Sequence, residues 1–194
     1  MAAEDRHDED LALVRDTLDH VEGAFAALYE KYRERVYRVA YHFVHNKADA
    51  LDLCQDAFVR AYQSLRSFEH RSRFSTWLMR IASNTCIDHI RSQKVRRAGE
   101  LDEQFVTKDE RNPGDGDAPN PARNLERAEL REQIDAAVGE LSPEHRAVFV
   151  LHAVDGLTYQ EIAETMDVPI GTVMSRLHYA RKRLQGLLAD LKKG

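Results

Sequence analysis

The chain has 194 residues, 31% of them charged, and a formal net charge of −5, an ordinary composition for a folded protein of one domain or two small ones. No apolar run approaches the ~20 residues that a membrane-spanning helix needs, and the acidic start MAAEDRHDED lacks a secretory signal pattern. We therefore expect a cytoplasmic protein without membrane insertion. Two cysteines, Cys54 and Cys86, are too few for a disulfide scaffold, so buried free thiols are expected.

The charges are unevenly distributed along the chain. Residues 66–97 hold eight Lys or Arg against two Asp or Glu, and residues 170–194 hold six against one. An acidic stretch precedes each of these basic blocks. Two basic blocks are the electrostatic pattern expected of a surface that binds phosphates, although solvated helix faces give the same composition.

The apolar residues recur every three or four positions throughout, which predicts an all-α fold. The first three predicted helices cover about 22–45, 49–66 and 74–92 and form one small bundle. An acidic N-terminal tail, residues 1–21, precedes them. Residues 98–124 contain TKDERNPGDGDAPNPA, in which prolines, glycines and acids exclude regular structure, so a flexible acidic linker is predicted there.

Helical spacing resumes in a second small bundle, residues 125–194. Ser142 is the predicted N-cap of one helix, with Pro143 at its first position. Thr158 and Glu161 form the pattern of a capping box at the start of the next helix. A short turn at Asp167 then leads into a final helix from about Pro169 to Leu191.

The last two helices have the layout of a helix-turn-helix. Ile162, Ala163 and Met166 face Val173 and Leu177 across the short turn, which packs the final helix onto the one before it. In this motif the second helix lies in the major groove of DNA. The residues on its outward side are polar, basic or able to contact thymine methyl groups: Thr172, Met174, Ser175, Arg176, His178, Tyr179 and Arg181.

Four stretches resemble the bacterial extracytoplasmic-function (ECF) sigma factors, the small promoter-specificity subunits of RNA polymerase. They are DALDLCQDAFVRAYQSLRSF, FSTWLMRIASNTCIDHIR, LSPEHRAVFVLHAVDGLTYQEIA and VPIGTVMSRLHYARKRL. They occur in family order and span nearly all of 22–97 and 128–188. The resemblance implies that 22–97 is the sigma region 2 domain and 125–194 the region 4 domain.

The resemblance also implies partners and site residues. In the family, the helix matching Asp49–Gln63 docks on the polymerase clamp, and its matching positions here are Asp52, Gln55, Asp56 and Phe58. The next helix melts the −10 promoter element and captures bases flipped from the non-template strand, which requires basic residues, stacking surfaces and amides. The positions expected to do this are Arg73, Trp77, Arg80, Ser83, Asn84, Asp88, Arg91, Arg96 and Arg97.

Three further expectations follow from the resemblance. The segment SQKVRRAG after Arg91 matches the variable specificity loop of the family. The second bundle is expected to bind the −35 element and the polymerase flap, although Met174 and Tyr179 depart from the Arg or Lys of many members. An anti-sigma partner is also expected. Trp77 is either a core residue or a stacking surface for DNA, and the acidic linker either imitates nucleic acid or is only a spacer.

Two other classes of function compete with this interpretation. A stand-alone helix-turn-helix regulator fits the second bundle equally well but has no use for the Asn- and Arg-rich helix of the first. An enzyme is not supported, because the usual catalytic motifs are absent. His42 and His45 are spaced to reach one metal ion, but no neighbouring Cys or carboxylate completes the set. No cofactor and no metal are predicted.

Overall fold

A computed structural model describes the backbone of residues 2–69, 72–99, 130 and 133–191, and the side chains within 7–69, 72–96, 130 and 133–189. These residues form α-helices and one short 3₁₀ helix, Leu65–Ser67, without any β-strand, so the predicted all-α class is confirmed. The α-helices are α1 (Ala2–Leu18), α2 (Ala24–Val44), α3 (Lys47–Ser64), α4 (Phe74–Gly99), α5 (133–139), α6 (Pro143–Ala153), α7 (Tyr159–Met166) and α8 (Ile170–Leu191).

Helices α2, α3 and α4 form the first bundle, as predicted. Its largest fully buried side chains include Phe43 of α2, Leu65 after α3, and Phe74 and Leu78 of α4. Cys54 and Cys86 are free and buried, which confirms the expected state of both thiols. Leu51 continues the helical spacing of the buried Cys54 and Phe58 but is itself 54% exposed.

The acidic segment 1–21 is not a tail, because most of it forms helix α1 against the first bundle. Val14 is fully buried, and Leu11 and Leu18 pack against the core, so one side of the acidic helix is apolar. The acids on another side bind basic and phenolic groups of α2. Lys31 donates to Glu9 at 2.5 Å, and the Tyr32 hydroxyl donates to Asp10 at 2.5 Å.

The second bundle begins its helices with the predicted caps. The Ser142 hydroxyl accepts from the backbone N–H of His145 at the start of α6. Thr158 and Glu161 form a complete capping box at the start of α7. Asp167 closes α7 in the left-handed region, with φ 54° and ψ 50°, a conformation that Asp tolerates better than most residues.

The two bundles pack against each other, with α4 against α6 and α7 and with α2 against α6. Arg35 of α2 donates two hydrogen bonds to Asp155, from Nε at 2.7 Å and from Nη2 at 2.8 Å. The Asp155 side chain is only 1% exposed. The buried Arg146 of α6 donates to the backbone carbonyls of Phe43 and Gly139, so one guanidinium joins both bundles.

The predicted linker, residues 98–124, lies outside the described residues except for 98 and 99, which belong to α4. The segment SQKVRRAG, residues 92–99, was expected to be a loop, but it is helical and continues α4 to Gly99. Its composition explains the difference, since the segment has no proline and its only glycine is the last residue of the helix. None of the described helices is both long and apolar enough to cross a bilayer.

Candidate nucleic-acid and partner interfaces

Helix α4 exposes a narrow polar stripe on an otherwise buried surface. Residues 82, 83, 85, 86 and 87 are all buried, whereas Arg80, Asn84, Asp88 and Arg91 are exposed. Their spacing of four, four and three residues places them on one side of the helix. Four of the residues predicted from the sequence to meet the −10 element therefore lie in one row.

A cavity of about 460 Å³ opens beside this row, between α4 and the segment that follows α3. A cavity of this volume is in the range of small-molecule sites. Its lining combines aromatic, hydroxyl, amide and guanidinium groups: Ser64, Ser67, Phe68, Glu69, Ser72, Trp77, Arg80, Ile81 and Asn84. Three of the predicted −10 residues line it. Sequence reasoning assigned no role at this site to the others, of which all but Ile81 precede α4.

Trp77 is half-buried, and its position is compatible with both of the roles that the sequence left open. Its ring packs on Phe68, with centroids 5.3 Å apart, and on Phe74, at 5.7 Å. The same side chain also lines the cavity. One part of the indole therefore belongs to the aromatic core, and another part is available for stacking.

Two arginines of the polar stripe bind acids of the second bundle. Arg80 Nη2 donates to Asp167 at 2.8 Å, and Arg91 Nη2 donates to Glu144 at 2.6 Å. The Arg91 guanidinium, the nearby Ser142 hydroxyl and the backbone amide of Glu144 hold the pKa of Glu144 below its usual value, although its partial burial acts in the opposite direction. These cationic groups therefore face carboxylates in this conformation.

The remaining predicted −10 residues differ in accessibility. Arg73 and Arg96 are exposed. Ser83 is buried, at 1% exposure, so its expected place on the DNA-facing surface is wrong for this conformation. Its position one residue before Asn84 turns it by about 100° around the helix, which points its small side chain into the bundle. The side chain of Arg97 lies outside the described residues.

The outward surface of α8 agrees with the prediction. Val173 and Leu177 are buried against α7, where Ile162 is also buried. None of the residues predicted to meet the −35 element is buried; Met174, Ser175, His178, Tyr179 and Arg181 are exposed, and Thr172 and Arg176 are half-buried. The Tyr179 ring contacts that of His145 in α6, with centroids 4.4 Å apart, so this exposed aromatic residue is held in place.

Helix α3 carries a third exposed surface. Asp52, Gln55 and Asp56 are exposed, as expected of a docking surface, but Phe58 is buried at 3% exposure and packs edge-to-face against Tyr29, with ring centroids 4.8 Å apart. Its direct contact with a partner is therefore not supported by this conformation. Three large apolar residues that were not predicted, Leu51, Val59 and Tyr62, are 54%, 53% and 52% exposed. Together with Gln55, they follow one another at intervals of four, four and three residues. This helical spacing would have predicted a second stripe on the surface of α3.

Two families match the two bundles. Residues 28–96 match Sigma-70 region 2, and residues 131–184 match Sigma-70 region 4. The chain is 36% identical over 171 residues to the ECF RNA polymerase sigma factor SigW of Bacillus subtilis (strain 168), covering 87% of this chain and 90% of the relative. It is 34% identical over 170 residues to the ECF RNA polymerase sigma-E factor of Escherichia coli (strain K12), covering 87% and 88%.

Solved structures have the same fold. CnrH, in its complex with the cytosolic domain of CnrY, gives a TM-score of 0.66 at 25% identity over 94% of this chain and 98% of that one. The sigma factor RpoE of Bartonella quintana, in complex with the anti-sigma factor NepR, gives a TM-score of 0.64 at 24% identity over 86% and 98%.

A helix-turn-helix beside a helix that presents a row of basic and amide groups defines a class of protein that binds promoter DNA. With both regions matched in order and with these relatives, the chain belongs to the ECF sigma factors of the sigma-70 family. As an RNA polymerase sigma factor it acts with core polymerase at the −10 and −35 elements in transcription initiation.

Proposed function

We propose that the cavity beside Asn84 receives a base flipped out of the non-template strand when the −10 element melts. The observation that carries the proposal is that Trp77, Arg80 and Asn84 meet at one opening. The exposed part of the indole offers a stacking surface, the guanidinium offers a phosphate contact, and the amide can donate and accept hydrogen bonds at a base edge. Ser64, Ser67 and Ser72 add hydroxyl groups around the same cavity.

The specificity for the flipped base is assigned to residues 64–72 rather than to residues 92–99. Residues 64, 67–69 and 72 of the first segment line the cavity, whereas residues 92–99 continue α4 beyond it. Variation in the side chains of the first segment changes the groups that surround a captured base. The sequence expectation that SQKVRRAG selects the base is therefore replaced by this assignment.

In the second bundle, α8 is assigned to the −35 element. Arg176 and Arg181 supply phosphate or base contacts, and Met174 and Tyr179 supply apolar contacts to thymine methyl groups or sugars. The partly or fully exposed positions of all seven predicted residues support this assignment. Because two family positions lack Arg or Lys here, the −35 sequence need not be that of relatives.

The binding of core polymerase is assigned to the exposed surface of α3. Leu51, Val59 and Tyr62 form an apolar stripe, and Asp52, Gln55 and Asp56 lie at its side. Exposed large apolar side chains in a row are typical of protein contact sites, and charged neighbours fix the register of such contacts. Phe58 contributes by supporting α3 from inside the bundle.

The matched ranges, 28–96 and 131–184, support the proposed division of the chain into two domains. We keep 22–97 for region 2, 98–124 for the linker and 125–194 for region 4, and we assign α1 to the first bundle rather than to a tail. An anti-sigma partner is proposed because two of the similar structures are complexes with such proteins or with a cytosolic domain. Action with core polymerase implies a cytoplasmic, non-enzymatic protein.

The test is promoter-dependent run-off transcription with purified core polymerase and a promoter library. We expect transcripts only when both the chain and core polymerase are present, and little specific binding of promoter duplex by the chain alone. Tight and specific duplex binding without polymerase, together with no transcript, would instead support the stand-alone regulator.

A further inference from the structure

Two histidines and one aspartate meet where the first and second bundles join. His42 lies in the last turn of α2, and His45 caps that helix. Asp135 lies on α5 of the second bundle. Its Oδ1 atom is 3.5 Å from His45 Nδ1 and 3.9 Å from His42 Nδ1. The fold therefore supplies the carboxylate that the sequence around the two histidines lacks.

The spacing of these atoms is close to that of a tetrahedral metal site. Zinc binds imidazole nitrogen and carboxylate oxygen at about 2.0–2.2 Å, which places neighbouring ligand atoms roughly 3.4 Å apart. One ligand atom from each of the three residues lies within 4.8 Å of the other two. Small side-chain rotations would bring all three around one ion and leave a fourth position for water.

The hydrogen bonding of His45 is a second, independent observation. Both of its ring nitrogens are inaccessible to water, and neither has a hydrogen-bond partner among the described residues. Buried polar atoms in folded proteins nearly always have a partner, so two unsatisfied nitrogens on one ring require an explanation. A metal ion between His42, His45 and Asp135 would be a partner for His45 Nδ1, the ring nitrogen that faces Asp135.

We propose that His42, His45 and Asp135 bind a divalent transition-metal ion, with Zn²⁺ the best match to two imidazoles and a carboxylate, and that the ion holds the two bundles together. Because two ligands come from region 2 and one from region 4, the ion binds the packed arrangement better than a separated one and stabilises it by mass action.

The expected consequence is inhibition of initiation, and this part rests on the proposed function. In the packed arrangement Arg80 is bound to Asp167 and Arg91 to Glu144, so the ion keeps both arginines away from promoter phosphates. Three protein ligands and the positive charge of Arg146 predict weaker binding than in a four-ligand structural zinc site. Binding of that strength is reversible, as a response to changing metal supply requires.

The first experiment measures metal binding by the metal-free full-length protein. Co²⁺ is the spectroscopic probe, followed by Zn²⁺ calorimetry, and we expect one ion per chain with the visible bands of tetrahedral cobalt. Since even changes in the surroundings of a metal site cost about 10–100-fold in affinity, His45→Asn and Asp135→Asn should each weaken binding at least about tenfold.

The matched control is His20→Asn. His20 is exposed and, like His45, has a positive φ, 61° against 53°, which Asn tolerates well. This control should bind metal as the original chain does. Unchanged affinity in both site variants, or an equal loss in the His20 variant, would overturn the site. Asp135 is partly exposed, so its variant tests the site even where His45→Asn fails to fold.

The second experiment measures the consequence of binding. Zn²⁺ should slow amide hydrogen exchange in α4 and reduce run-off transcription for the original chain, but change neither for Asp135→Asn in the same mixture. Cobalt binding without any effect on exchange would overturn the bridging role while leaving the metal site. Failure of the metal-free chain to initiate at any promoter would overturn the proposed function alone, because exchange and cobalt binding do not depend on polymerase.

Discussion

Asn84 presents its side-chain amide at the surface of α4. It is exposed in a stretch of α4 where its immediate neighbours on both sides are buried, and it lies at the opening of the cavity with Trp77 and Arg80. An amide in the middle of a helix contributes nothing to packing when it is exposed. Its polar groups are therefore free to contact a base edge.

Replacing Asn84 by Ala should reduce promoter opening about tenfold or more, because a good amide–base contact contributes roughly 1–3 kcal/mol. Alanine has the highest helix propensity, so α4 should remain intact. The measurement is the fluorescence of 2-aminopurine placed at the −10 non-template strand, which rises when the base leaves the stack. Core binding and the thermal midpoint serve as controls, and an equal fall in core affinity would contradict the assigned role.

Exposure was harder to predict residue by residue. The resemblance grouped Ser83 with Asn84, and apolar spacing grouped Leu51 with Cys54 and Phe58, but Ser83 is buried and Leu51 is exposed. Small hydroxyl side chains are compatible with either environment, and single apolar residues on a surface are common. The orientation of a helix about its own axis is decided by its neighbours, which are distant in sequence.

At the scale of the helices, sequence patterns that depend on neighbouring residues predicted the starts of α6 and α7 correctly. The caps at Ser142 and Thr158 depend on hydrogen bonds within three residues, so the sequence contains all the information they need. The left-handed turn at Asp167 is local in the same sense. Helix α1 was missed because its many acids indicated a solvated segment, although Leu11, Val14 and Leu18 already had helical spacing. Charge composition was given more weight there than periodicity.

The capping box of α7 should contribute to the stability of the helix-turn-helix. Thr158→Ala removes the acceptor for the Glu161 backbone N–H and should lower the free energy of unfolding by about 1 kcal/mol. Promoter affinity should fall with it, since α7 supports α8. Thr158→Ser retains the hydroxyl and is the matched control in urea denaturation. Equal stability of the Ala and Ser variants would show that the box contributes nothing measurable.

At the scale of the whole molecule, the two bundles were predicted but their packing was not. The contacts that join them link residues far apart in the chain, such as Arg35 with Asp155 and Arg146 with the carbonyl of Phe43. No periodic pattern encodes such contacts, because their members lie on different elements and nothing local marks either one as a partner of the other. For the same reason, the sequence did not indicate that Asp135 lies beside His42 and His45.

Asp155→Asn tests a pair whose carboxylate is almost inaccessible to water. The change leaves Arg35 without a carboxylate partner in a largely buried position, so it should destabilise the packed form by roughly 2 kcal/mol. Urea denaturation measures the effect. Glu30→Gln, at an exposed pair with Arg33, is the matched control and should cost less than about 0.5 kcal/mol. Equal effects would show that the Arg35 pair does not hold the bundles together.

The two pairs formed by Arg80 and Arg91 have a different consequence. Both arginines are more than 40% exposed, at 45% and 58%, so each pair is weak and sensitive to salt. When promoter DNA arrives, each guanidinium exchanges a carboxylate for a phosphate, and the reaction is an ion exchange rather than a simple association. Added salt weakens the carboxylate pair and the phosphate contact together. Promoter affinity should therefore depend on ionic strength less steeply than the number of phosphate contacts alone implies.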